Sequence, residues 1–220
     1  MTIGRLLGRY FHRLRTPERW NGPAHTPIER LPMVAIDTET TGLDARRDRL
    51  LSFAAVRIEP GLEAAPSAEI DVLVDPGVHI PARATAVHGI DHARLAGAPT
   101  FAEVHGRIAA CLSGTIVVGH FVAFDLAILG REAASAHLPW REPPSFDTAA
   151  LASAAGYPAE HLDIVDILER LGIEPRGQRH TASGDARMAA DLFIAIARRL
   201  IGQGRGTYAG AVAAHPARRR

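Results

Sequence analysis

Met33-Val34-Ala35-Ile36-Asp37-Thr38-Glu39-Thr40-Thr41-Gly42-Leu43 is an apolar run that ends in two carboxylates and a turn. Side chains at i and i+2 of a strand share a face, so a strand here aims Asp37 and Glu39 at one point. Two converging carboxylates repel, and each raises the other's pKa unless a cation lies between them. Mg²⁺ or Mn²⁺ suits such a site, because hard cations take oxygen ligands and keep positions open for water and phosphate. The first expectation is metal-dependent phosphate chemistry. The doublet is weak alone: with 12 Asp and 12 Glu among 220 residues, about 0.65 Asp-x-Glu pairs arise by chance. A strand that ends in a solvated polar turn would look the same.

Two further stretches add weight. Thr115-Ile116-Val117-Val118-Gly119-His120-Phe121-Val122-Ala123-Phe124-Asp125 reads as a buried strand ending in Gly-His, with an Asp on the first turn of the next element. His180-Thr181-Ala182-Ser183-Gly184-Asp185-Ala186 opens the last long helical pattern. An Asp in a first helical turn is favoured by capping and by the helix dipole, so Asp185 alone reads as a cap. Order and setting are the stronger signal: a carboxylate pair on a first strand, an Asp starting a middle helix, and His with Asp opening a final one.

In these motifs, together with Val87-His88-Gly89-Ile90 and Phe146-Asp147-Thr148, the chain resembles the DEDDh 3′–5′ exonucleases, relatives of the proofreading subunit of bacterial replicases. The resemblance covers about residues 31 to 201 and implies a ribonuclease H-like α/β fold, a mixed five-stranded sheet flanked by helices. It implies two divalent ions, Mg²⁺ or Mn²⁺, held by Asp37, Glu39, Asp125 and Asp185. Such ions, about 3.5–4 Å apart, hold the attacking water and the leaving 3′ oxygen of an in-line displacement. By the resemblance Asp37 bridges both ions, Glu39 and Asp185 complete the water-activating site, and Asp125 serves the leaving-group ion through waters.

His180 is the general-base candidate, since an imidazole of ordinary pKa, about 6.5, can take a proton from metal-bound water at neutral pH. The family's substrate contacts fall on Thr40, Leu43, His88 and Phe124, and a base stacked on Phe124 would be read without regard to sequence. For Leu43 and Phe124 core packing is the competing reading. The chain departs from many relatives at Phe121, where they carry Asn after the Gly-His. The implied substrate is nucleic acid with a free 3′ end, single-stranded DNA first, releasing nucleoside 5′-monophosphates. An RNA-trimming enzyme similar to RNase T or oligoribonuclease is the alternative within the class. From another class, an inactive nucleic-acid-binding or polymerase-docking module could keep the fold.

Composition agrees with one globular domain: 47% hydrophobic and 22% charged residues over 220 positions. No run approaches the ~18 apolar residues of a membrane span. Cys111 is the one cysteine, which excludes an intrachain disulfide and suits a reducing cytoplasm. All 25 basic residues are arginine, five of them within the first 19 positions, and the net charge is +1.

Residues 1–30 are expected to form a basic amphipathic arm, with Ile3, Leu6, Leu7, Tyr10 and Leu14 at helical spacing between arginines, then Pro17 and Pro23 as breakers. The arm could address the chain to an organelle, dock a DNA polymerase or other repair protein, or simply pack on the domain. Expected elements are strands 33–38, 50–58, 69–74, 115–119 and 145–147, a proline-bearing loop around 76–81, and helices 100–112, 122–137, 148–155, 161–171 and 183–200. Residues 202–220 read as a mobile tail. His12, His25, His79, His92, His105, His137, His161 and His215 read as surface residues.

Overall fold

The computed structural model describes residues 20–154 and 163–214. A mixed sheet holds the strands β1 (Met33–Thr40), β2 (Leu50–Glu59), β3 (Glu63–Ala64), β4 (Ile70–Leu73), β5 (Ile116–Gly119) and β6 (Ser145–Asp147). The order is β3-β2-β1-β5-β6, and β4 pairs with another stretch of β2. β2 runs antiparallel to β1, while β1, β5 and β6 are mutually parallel. Seven α-helices flank it among the described residues: α1 (Ala82–His88), α2 (Phe101–Leu112), α3 (Ala123–Ser135), α4 (Thr148–Ala154), α5 (Ile164–Arg170), α6 (Ala182–Gly202) and α7 (Tyr208–Ala214).

The apolar runs become strands because both faces of the central sheet are covered. Val34 and Ile36 face a core shared with Phe101, Ile108, Leu126 and Leu129 of α2 and α3. Met33 and Ala35 face the other core, built with Ala186, Ala189, Phe193 and Ala197 of α6. Phe146 of β6 stacks on Phe193 there, ring centroids 5.5 Å apart. Continuing the alternation places Asp37 and Glu39 on the α6 side of β1 and Thr38 on the α3 side.

Several expectations change. The sheet has a sixth strand, two-residue β3, made by a hairpin through Gly61 and Leu62, both at positive φ. The proline-bearing loop runs straight into a further helix, α1, with Pro81 as its N-cap residue and Gly89 in the left-handed conformation as its C-cap, a position that suits glycine. His105 is buried, not on the surface: one helical turn after Phe101 it packs edge-on to that ring at 5.6 Å, and Nε2 meets the Pro139 carbonyl at 2.9 Å. His25, His79, His92 and His137 are exposed. His12, His161, His215 and the apolar stripe from Ile3 to Leu14 lie outside the described residues.

The expected boundaries of arm and tail also move. Tyr208 and Ala209 donate backbone hydrogen bonds to Thr26 and Ala24, Ile28 donates to Gly206, and Ile28 is fully buried. Trp20 packs on Tyr208 at 5.3 Å, and Tyr208 on Phe146 at 5.9 Å. Residues 20–30 and 205–214 therefore belong to the folded domain, joined to each other beside the α6 core. Their Gly, Pro and Ala content hides this, because the holding bonds are main-chain bonds to each other.

Candidate active site

Asp37 and Glu39 end β1 opposite Ala54 and Ser52, and the register slips between Glu39 and Thr40. The following turn is closed by one side chain. Asp48 accepts from the Thr41 hydroxyl at 2.9 Å and from the Asp44 N–H at 2.7 Å, and a Cβ on Gly42 would lie 2.6 Å from its carboxylate. A larger residue there would have to displace the Asp48 carboxylate from the bonds that close the turn.

Asp185 reaches the pair from α6. Thr181 caps that helix, its hydroxyl accepting from the Gly184 N–H at 3.2 Å and donating to the Gln178 carbonyl at 2.7 Å. The loop bearing Gln178 lies directly on the first turn: a Cβ on Gly184 would collide with the Gln178 carbonyl, and one on Gly177 would stand 2.7 Å from the Gly184 Cα. This contact presses Arg179 and His180 over Asp185. Asp185 Oδ2 accepts from Arg179 Nη1 at 2.5 Å and from the His180 N–H at 3.2 Å. Its Oδ1 is buried without a hydrogen-bond partner.

Oxygens of Asp37, Glu39 and Asp185 lie within 4.8 Å of one another. Asp125 stands outside that trio. On the first turn of α3 it comes up on the other side of β1, where the Thr38 hydroxyl donates to its Oδ1 at 2.6 Å. The strand's alternation thus places two carboxylates on one side and tethers the fourth through the residue between them.

Every one of the four is held toward its neutral form. Burial, then Asp125, Asp185 and Glu39, push Asp37 well above the ordinary carboxylate range. Burial and then Asp185 push Glu39 up to about 8, against the opposing pull of Arg179. Burial pushes Asp125 up to about 7, with the Thr38 hydroxyl acting the other way. Asp185 is raised by burial, which outweighs the pull of Arg179 and His180. Four desolvated carboxylates and an orphaned buried oxygen are the chemistry of a divalent-cation site, and hard oxygen ligands fit Mg²⁺ or Mn²⁺.

His180 sits half-buried in the left-handed conformation, φ 60°, at the edge of a cleft of about 660 Å³ that His88, Ile90 and Arg94 also line. His88 is buried, which lowers its pKa. Its Nδ1 accepts from the Ile90 N–H at 3.0 Å, so the neutral ring carries its proton on Nε2. That buried nitrogen has no well-aligned partner, although the Thr40 carbonyl is close enough to favour the protonated ring slightly. The Thr40 hydroxyl is already used, donating to the Gly42 carbonyl at 2.6 Å. Leu43 is 37% exposed. Phe124 is half-buried against the α2–α3 core, and Phe121 sits at φ 62° beside the His120 ring.

The chain resembles known proteins in sequence and in fold. Residues 34–193 match the sequence model of the exonuclease family that includes RNase T. The chain belongs to that exonuclease family. Its motifs place it in the DEDDh branch, and the ribonuclease H-like fold is the one expected. The exonuclease chain is 34% identical over 167 residues to the DNA polymerase III subunit epsilon of Aquifex aeolicus, covering 76% of this chain and 81% of that protein. It is 39% identical over 191 residues to a DNA polymerase III subunit epsilon-like protein of Rhodobacter capsulatus, covering 86% of this chain but only 27% of the relative's length. Escherichia coli exonuclease I, solved with a dT13 oligonucleotide, superposes with a TM-score of 0.67 at 16% identity, over 80% of this chain and 43% of that one.

Sequence reasoning passed over four contributors. Arg179 precedes the conspicuous His180 and looked like one arginine of many. Gly184 and Gly177 matter only because two segments touch. Asp147 was visible in Phe146-Asp147-Thr148 without a task; its Oδ1 accepts from the N–H groups of Ala149 at 2.9 Å and of Ala150 and Phe121 at 3.3 Å, joining the end of β6 to the Phe121 turn.

Proposed function

We propose that the chain is a Mg²⁺- or Mn²⁺-dependent 3′–5′ exonuclease that removes nucleoside 5′-monophosphates from the 3′ end of nucleic acid, with single-stranded DNA as the leading substrate. The observation that carries the reading is the Asp37–Glu39–Asp185 cluster, within 4.8 Å, with Asp185 Oδ1 buried and unpartnered. Asp37, Glu39 and Asp185 would hold one ion, and Asp37 with Asp125 the other. Bound there, two divalent ions supply Lewis acidity toward the attacking water and the leaving 3′ oxygen. His180, on the loop above Asp185, takes the proton of the attacking water. The backbone at Thr40 and the exposed Leu43 seat the terminal nucleotide, and Phe124 offers a ring face to its base. The polymerase-subunit relatives support DNA as the substrate and a replicative or repair polymerase as a partner, and the basic residues 1–19 of the arm would dock it. Among the described residues no helix is long and apolar enough to cross a membrane. A cytoplasmic setting fits Cys111, whose thiol burial pushes up to about 11 and so keeps unreactive.

The test is a time course on DNA and RNA oligomers labelled at the 3′ or the 5′ end, with and without Mg²⁺. A 5′ label retained on a shortening ladder, only with metal and faster on DNA, is expected. RNA shortened faster than DNA would replace the substrate assignment with the RNA-trimming one. No product under any condition would leave a nucleic-acid-binding module.

A further inference from the structure

Arg179 is the cation nearest the carboxylate cluster for which the reaction assigns no task. Its Nη1 donates to Asp185 Oδ2 at 2.5 Å, and its Nη2 donates to Asp163 Oδ2 at 3.2 Å. Asp163 is itself fixed as the N-cap of α5, accepting from the Val165 N–H at 3.0 Å. One guanidinium thus bridges the starts of two helices and occupies Oδ2 of Asp185, while Oδ1 stays buried and unpartnered in a residue whose carboxylate lies within 4.8 Å of those of Asp37 and Glu39. Its charge reaches further than its hydrogen bonds, opposing the rise in the pKa of Asp37 and Glu39 as well as Asp185. The side chain is 34% exposed, and burial works against its charge less than Asp185 and Asp163 work for it.

We propose that Arg179 is the built-in counter-ion of the metal-free site, a positioning residue that holds Asp185 by Oδ2 and sets how tightly the cluster takes a divalent cation. This rests on reading the cluster as the ion site. Without ions, Arg179 offsets part of the repulsion among buried carboxylates. With ions, its positive charge opposes theirs, so it weakens ion affinity while it stabilises the empty fold. A like-charge repulsion between a guanidinium and a dication sharing one carboxylate is large enough for a tenfold effect even at an effective dielectric near ~20.

The experiment uses the full chain and two readouts that need no turnover: calorimetric titration with Mn²⁺ alone, and thermal melting in EDTA. Arg179→Met removes the charge and keeps the length, and Arg179→Lys keeps the charge. Arg179→Met is expected to bind Mn²⁺ about tenfold more tightly and to melt several degrees lower in EDTA, a deficit that saturating Mn²⁺ erases. Arg179→Lys should return both values toward wild type. Unchanged affinity and melting in Arg179→Met, or weaker Mn²⁺ binding, would overturn the counter-ion role while leaving the ion site in place. A wild-type chain that binds no Mn²⁺, or whose Asp37→Asn variant binds it equally well, would overturn the ion site and the role of Arg179 together.

Discussion

Two residues of the site can be separated by what their loss leaves behind. His180 donates only its backbone N–H to Asp185, so His180→Ala keeps every carboxylate in place. The variant is expected to bind Mn²⁺ and a 3′-ended strand normally and to lose about 10²–10⁴-fold in rate, the usual worth of a general base. An unchanged single-turnover rate would remove the imidazole from the mechanism. Glu39 carries a different signature. Its pKa stands at about 8 in the folded chain without ions, against an ordinary 4.5. Folding therefore takes up a proton between those values, and the associated stability is full below about pH 4.5 and lost as pH rises to about 8. Melting in EDTA should fall across that window more steeply for wild type than for Glu39→Gln, which stays neutral, and Mg²⁺ should abolish the difference. Parallel melting curves against pH would show that the Glu39 carboxyl is not desolvated.

Between elements, one buried carboxylate registers α3 against the turn after the acidic pair. Glu132 accepts from Arg49 Nε at 2.8 Å and Nη2 at 2.9 Å, from Arg131 Nη2 at 3.0 Å and from the Leu50 N–H at 3.1 Å. Asp125 lies two turns earlier on the same helix, so this fork sets where Asp125 meets Thr38. Glu132→Ala would strand the cationic side chains and the Leu50 N–H. Breaking a buried pair costs about 3–5 kcal/mol, and the lower figure applies because Arg49 keeps 29% exposure. Chemical denaturation should show that loss, and a change below about 1 kcal/mol would mean solvent replaces the fork. The glycine pair plays the corresponding part for α6: Gly184 and Gly177 allow the loop–helix contact that carries Arg179 and His180 to Asp185.

At the scale of the whole molecule, the domain closes where its two described ends meet. Residues 24–28 and 206–209 exchange main-chain hydrogen bonds beside the core under Trp20, Tyr208 and Phe146. A chain beginning at Leu31 loses fully buried Ile28 and these bonds, and should be less stable by at least about 2 kcal/mol. A chain beginning at Trp20 keeps them. It should melt like the full protein and cleave short oligomers at the same rate, while losing affinity and salt dependence on long strands if residues 1–19 contact phosphates. Early melting of the chain from Trp20 would make those nineteen residues part of the core.

Local sequence alone determined a good deal. Strand ends at 33 and 50 and all of 145–147 follow from apolar runs and turns, and α6 from its 3.6-residue pattern, because these signals are short-range consequences of burial. Asp37 and Glu39 share a face for the same reason: strand periodicity needs no partner to be read. Asp125, Asp185 and His180 were legible through motif order rather than through any local force, since each alone is an ordinary cap or polar residue. Tertiary structure decided the rest. It placed Asp125 across the strand from the other three, used the Thr40 hydroxyl inside its own turn, buried His105, folded 205–214 against 20–30, and drew Arg179 onto Asp185. Each depends on which surfaces meet. A contact between residues 184 and 178, or 28 and 206, has no periodicity in sequence, so only the folded chain reveals it.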